Sequence, residues 1–197
     1  EADISVGERS LLGKILNYLV LINNKVGLDL AKKITLSKNM TLSIIGLKSL
    51  CFFGSEPPLN LLNKFYSKWK NHSLVIEKWF ELMSILNIEG QGLNFIENLL
   101  SHESFEYKNP NKIRSVLGTF QRENILLFHA NDSSGYKFIS DQVSLIDKHN
   151  PQVAARLVLP LTRFKNFDKK RKYKIKKALK NISNQSVSSD LYEIVEK

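Results

Sequence analysis

Asn109-Pro110-Asn111-Lys112-Ile113-Arg114-Ser115-Val116-Leu117-Gly118-Thr119-Phe120 carries its own helix start. An asparagine side chain can accept from an orphan first-turn amide, and a proline at the first helical position has no amide to leave unpaired. Ile113, Val116, Leu117 and Phe120 then recur at the spacing of one helix face. The same device returns at Asn150-Pro151, ahead of Val153, Leu157, Leu161 and Phe164. Pro160 should kink or shorten that second helix.

Outward from these two starts the pattern stays helical, with no convincing period-two strand. Between them, a turn-rich loop from Asn131 to Gly135 leads into Tyr136, Ile139, Val143 and Ile146. Upstream, Leu12, Ile15, Leu19 and Ile22 mark one helix and Asp29 to Ile34 a second, while a third runs from Met40 to Phe53 and stops at Gly54. Ser55 reads as the cap of a helix with Pro57 and Pro58 in its first turn and a stripe at Leu59, Leu62, Phe65 and Trp69. Val75, Trp79, Leu82 and Leu86, then Leu93, Ile96 and Leu100, continue the series. Near the end, Asp168 caps a basic helix, and Asp190 with Glu193 makes a D-x-x-E variant of the capping box. The expectation is an all-α protein, an irregular α-solenoid of about twelve short antiparallel helices, without a strict sequence repeat or a Gly/Ser/Pro-rich linker that would force a domain boundary.

Composition narrows the function. The net charge of +10 invites a nucleic-acid reading, but Lys165 to Lys180 holds nine basic residues against Asp168 alone, which leaves +2 for the rest of the chain. That segment, with Phe164, Phe167 and Tyr173 as stacking groups, is the alternative reading: a basic helical module that binds nucleic acid. No apolar run reaches the ~18 residues that cross a bilayer, so no membrane partner is expected. The chain begins at Glu1 and reads as part of a longer protein. Cys51 is the only cysteine and sits in an apolar stretch, so it is expected to be an inert core thiol.

Catalytic signatures are missing. His102-Glu103 begins like H-E-x-x-H, but Glu106 stands where the second histidine must be, and His72, His129 and His149 lie in separate segments. No metal site is expected in the chain, and no catalytic residue. Asp141 and Asp147 read as surface carboxylates, Tyr136 as core, and Gly90-Gln91-Gly92 as a turn.

Three ordered segments together resemble a known family: Asn109 to Ser115, Phe128-His129-Ala130 leading to Ser134-Gly135-Tyr136, and Asn150-Pro151-Gln152-Val153-Ala154-Ala155-Arg156-Leu157. Trp69, the Leu74 to Phe80 segment and Asp190-Leu191-Tyr192-Glu193 fit the same pattern. It is that of the C-terminal domain of bacterial alanyl aminopeptidases (aminopeptidase N), zinc enzymes that release N-terminal amino acids from peptides. The likeness covers essentially the whole chain, so residues 1–197 are expected to form one C-terminal helical domain, a HEAT-like right-handed superhelix. Lys112 departs from the arginine expected there and is given no role.

The resemblance implies a division of labour. An upstream catalytic domain, absent from this chain, would hold the zinc, so that this segment has no cofactor and no activity alone. The segment would close over that domain, its partner, and line the chamber for peptide substrates, in a cytoplasmic enzyme of peptide catabolism. By position, Gln152 corresponds to the edge of the pocket for the first substrate side chain, and Arg156 and Arg114 to chamber-facing arginines. An amide offers donor and acceptor without charge, and guanidinium groups hold carbonyls or a terminal carboxylate through fixed donors.

Overall fold

A computed structural model describes residues 5–185 and 187–196. All regular structure among them is helical, as expected: α1 (Val6–Leu21), α2 (Lys25–Thr35), α3 (Met40–Phe53), α4 (Leu59–Trp69), α5 (Ser73–Ile85) and α6 (Leu93–Leu100) come first. Then follow α7 (Pro110–Ile113), a π turn (Arg114–Gly118), α8 (Thr119–Glu123), α9 (Ile125–Phe128), α10 (Ser134–Asp147), α11 (Pro151–Thr162), a 3₁₀ turn (Phe164–Asn166), α12 (Lys169–Ser183) and α13 (Ser189–Val195). The chain divides into two compact units, Glu1–Ile88 and Glu89–Lys197.

In Glu1–Ile88, α1, α2 and α3 pack on one another around Leu16, Val20, Ala31 and Leu50. Gly46 makes the α2–α3 approach possible, because a Cβ there would fall 2.6 Å from the Ala31 carbonyl oxygen. Ser49 Oγ on α3 donates to Asn17 Oδ1 on α1 at 2.7 Å. α4 and α5 are joined by the Trp79 indole N–H, which donates to the Leu62 carbonyl at 3.1 Å. The expected face of α1 needs correction: Ile15 and Ile22 are exposed, and Leu16 and Val20 are buried instead. Leu11, Leu12, Leu19 and Leu21 leave this helix apolar almost all round, so periodicity alone does not choose its inner face. A second correction concerns α4, which starts at Leu59 after Pro57 and Pro58 and takes no side-chain cap from Ser55. The prolines form a turn of their own, in which the Leu59 amide reaches the Pro57 carbonyl at 2.9 Å. Burial pushes the Cys51 thiol up to about 12, which keeps it protonated and unreactive.

In Glu89–Lys197, α10 packs against α9, α11 and α12. Ile113, Val116, Leu117, Phe120, Ile139 and Val143 are fully buried, as their spacing requires. Phe120 meets Phe128 and Phe138 edge to face at centroid distances of 5.9 and 5.7 Å. A Cβ on Gly135 would lie 2.4 Å from the Phe128 carbonyl oxygen, so only glycine lets α10 start against the end of α9. Asn109, Asn150 and Asp168 cap their helices as expected.

Two expectations for this unit give way. The last helix is capped by Ser188, whose Oγ accepts from the Leu191 amide, and Asp190 lies inside the first turn. Asp147 is buried and accepts from the Ser188 amide at 2.7 Å and from its hydroxyl, which ties α13 to α10. The charged face of α12 points to solvent, while Ile175, Ala178, Leu179 and Ile182 face inward. No helix among the described residues is long and apolar enough to cross a membrane.

Candidate functional site: an arginine-lined cleft

The two Asn-Pro helices of the second unit flank one cleft of about 720 Å³. Arg114, Gln152 and Arg156 all line it, and all three are exposed. Asn150 holds its Oδ1 3.1 Å from the Val153 amide, so Gln152 sits in a fixed first turn with Arg156 four residues on, on the same side of the helix. Arg114 is steadied by its own helix: Nε donates to the Pro110 carbonyl at 3.1 Å and Nη2 to Asn111 Oδ1.

Both walls are irregular at the cleft. The Thr119 amide reaches the Arg114 carbonyl across the π turn, a departure that recurs at functional sites. On the other wall Pro160 lies inside α11, which continues to Thr162, so the expected shortening does not occur. A proline there gives no amide to the carbonyl four residues back, that of Arg156.

Other lining residues were not singled out in the sequence. Arg122 and Arg163 bring the arginines around the cleft to four, and no Asp or Glu is among its lining residues. Arg163 follows Arg156 by seven residues, a spacing that could have flagged it. Gln121 lies in the cleft, buried, and neither its Oε1 nor its Nε2 has a hydrogen-bond partner.

His129, isolated in the sequence, lines the cleft beside Phe167, at a ring distance of 5.0 Å. Its Nδ1 lies 2.6 Å from the Tyr136 hydroxyl, whose ring is buried as expected. Burial and then the neighbouring Arg171 charge hold His129 below the usual imidazole range, so it is neutral at pH 7. Of the three rings named for nucleic-acid stacking, Phe167 is thus engaged with His129, Phe164 lies under Lys176 at 5.1 Å, and Tyr173 is exposed.

His102 Nδ1 accepts from the Ser104 amide at 3.1 Å, and no group of three or more His, Cys, Asp or Glu able to hold a metal occurs among the described residues.

Comparison with known proteins agrees with the helical architecture. The chain is similar to aminopeptidase N of Haemophilus influenzae, 41% identical over 138 residues that make up 70% of this chain and 16% of that protein. It is similar to aminopeptidase N of Escherichia coli at 39% identity over the same share of each. The chain therefore spans about a sixth of these relatives' length. A crystal structure of Legionella pneumophila aminopeptidase A in complex with aspartic acid matches 96% of this chain and 22% of its own, with a TM-score of 0.85 and 28% identity. The family described as a domain of unknown function (DUF3458_C) with ARM repeats matches residues 2–197. The chain belongs to this ARM-repeat family, with the all-helical fold that its capped starts and periodic faces had indicated.

Proposed function

We propose that the chain is the substrate-chamber domain of a zinc-dependent aminopeptidase that releases N-terminal residues from peptides in the cytoplasm. The observation that carries this reading is the convergence of Arg114, Gln152 and Arg156 on one cleft without a lining acid, in a chain similar to aminopeptidases. Gln152 bounds the pocket for the first side chain, while Arg156 and Arg114 hold carbonyls or the carboxylate of the peptide beyond it. The zinc belongs to a catalytic domain elsewhere in the longer protein, and both units of this chain serve that domain as a wall. An apolar stripe on α1 suits docking: Leu11, Ile15, Tyr18 and Ile22 lie on one side of the helix and are 61, 49, 71 and 68% exposed.

The test is aminopeptidase activity of the chain alone and after addition of the zinc-bearing upstream region. Silence alone with activity on recombination supports the reading, and activity of the chain by itself would overturn it. In the active combination, Arg156→Ala weakens longer peptides more than single-residue chromogenic amides. Gln152→Ala shifts the preference among first side chains, whereas a uniform loss across substrates would argue against its role.

A further inference from the structure

Gln121 has no role in that reading, yet its setting points to a ligand. The side chain is 5% exposed, lines the cleft, and leaves both ends of its amide unpaired. Burying an amide without partners is unfavourable, and leucine would fill similar space without that penalty. A polar group kept at such a position is satisfied when a ligand supplies a donor and an acceptor side by side. In an extended peptide the N–H and the carbonyl oxygen of one residue point the same way, as they do in a sheet ladder. A glutamine amide can therefore pair twice with a single residue, whatever its side chain. An anion without a donor, such as sulfate, would satisfy only the Nε2 donor.

The surroundings select the end of the peptide. Arg114, Arg122, Arg156 and Arg163 line the same cleft, and none of its lining residues is Asp or Glu. Arg156 and Arg163 have no ion pair among the described residues, and the Arg122 Nη2 contact to Thr119 Oγ1 is long at 3.4 Å. Guanidinium groups recognise carboxylates through paired donors. We propose that the cleft binds the carboxylate end of a peptide. Turned from its buried position into the cleft, Gln121 accepts at Oε1 from the last residue's N–H and donates from Nε2 to one terminal oxygen, and the surrounding arginines hold the charge. The inference rests on the cleft facing peptide, and it adds Gln121 as a residue that reads the end of the chain.

The 197-residue chain is titrated by calorimetry with an N-acetylated tetra-alanine bearing a free carboxylate, and with the same peptide as its C-terminal amide. Acetylation removes the amine, so the measurement does not depend on aminopeptidase activity. The free acid binds, and the amide binds about tenfold more weakly. Gln121→Leu weakens the free acid about tenfold while the thermal midpoint stays level or rises, as removal of an unpaired buried amide requires. Gln121→Glu, which places a negative charge at that position, loses the free acid but keeps the amide. Equal binding of acid and amide would overturn the proposal, as would unchanged affinity in Gln121→Leu or displacement of the peptide by equimolar sulfate. If neither peptide binds, this inference falls while the recombination test decides the aminopeptidase reading by itself. Binding without activity on recombination would leave the carboxylate site standing and remove the reading on which it was built.

Discussion

The two units are made of the same short helices, yet they handle polar groups differently. In Glu1–Ile88 three buried hydroxyls turn back on nearby backbone, Thr35 to the Lys32 carbonyl, Ser43 to Asn39 and Ser84 to Phe80, while Ser49 reaches across to Asn17 on α1. In Glu89–Lys197 Ser115 likewise turns back to Lys112, but polar groups also tie more distant elements, Asp147 to Ser188 and Ser140 Oγ to the Ala178 carbonyl, and Gln121 keeps both amide atoms buried and unpaired. Back-bonded hydroxyls add little specificity, because the helix satisfies them wherever it packs. Long-range polar ties fix one register between helices, which a binding site needs. The first unit instead exposes hydrocarbon on α1, the face proposed for docking, while the second holds the cleft.

The comparison breaks first if the units do not unfold separately. Phe80 in the first unit and Phe120 in the second are both fully buried, and either change to alanine is expected to cost about 4 kcal/mol. Hydrogen exchange then shows lost protection in the mutated unit alone, and equal loss in both would dissolve the distinction. Asp147→Asn weakens the polar tie of α13 and is expected to cost about 2 kcal/mol, with faster exchange from Ser188 to Val195 and none of that change in Glu1–Ile88.

Acid sharpens the contrast more gently. His102 is held below the usual imidazole range by burial, which the Glu103 charge partly offsets, and His129 by burial and then Arg171. With folded values depressed, the unfolded chain takes the proton first. Stability is therefore full above about pH 6.5 and declines as pH falls below it. His129→Gln flattens the midpoint-versus-pH curve in this window. Asp132 and Asp168 are also lowered, by hydrogen bonds from Ser134 and from the Arg171 amide respectively, so their contributions fade only at more acid pH. The smallest stability effect is expected from Leu11→Gln with Ile15→Gln, within about 0.5 kcal/mol. The same pair should weaken recombination with the catalytic region, and an unchanged recombination affinity would remove α1 as a docking face.

Much of the second unit was legible because Asn-Pro starts and strongly periodic faces agree with one another, as at Ile113 to Phe120 and Tyr136 to Ile146. Arg114, Gln152 and Arg156 line one cleft because all three follow such starts in fixed register. The rest was hidden for definite reasons. α1 offers too many apolar positions to choose among, and Asp190 looked like a cap because Ser188 does that work two residues earlier. Asp147 became a buried acceptor only through a partner 41 residues away. Gln121 follows a stretch where the helical period itself changes, so its direction could not be counted from Arg114.

That change of period bears on the length of the chain. A π turn spends one residue more than an α turn, so Arg114–Gly118 has the form of a single-residue insertion accommodated inside a helix. Removing one residue between Ser115 and Leu117 would allow an ordinary ladder to close from Pro110 to Glu123, at the expense of one buried side chain. A deletion scan should therefore find its mildest helix-interior deletion there. Related chains one residue shorter should differ at that turn, with Arg122 still brought round to the cleft beside Arg114.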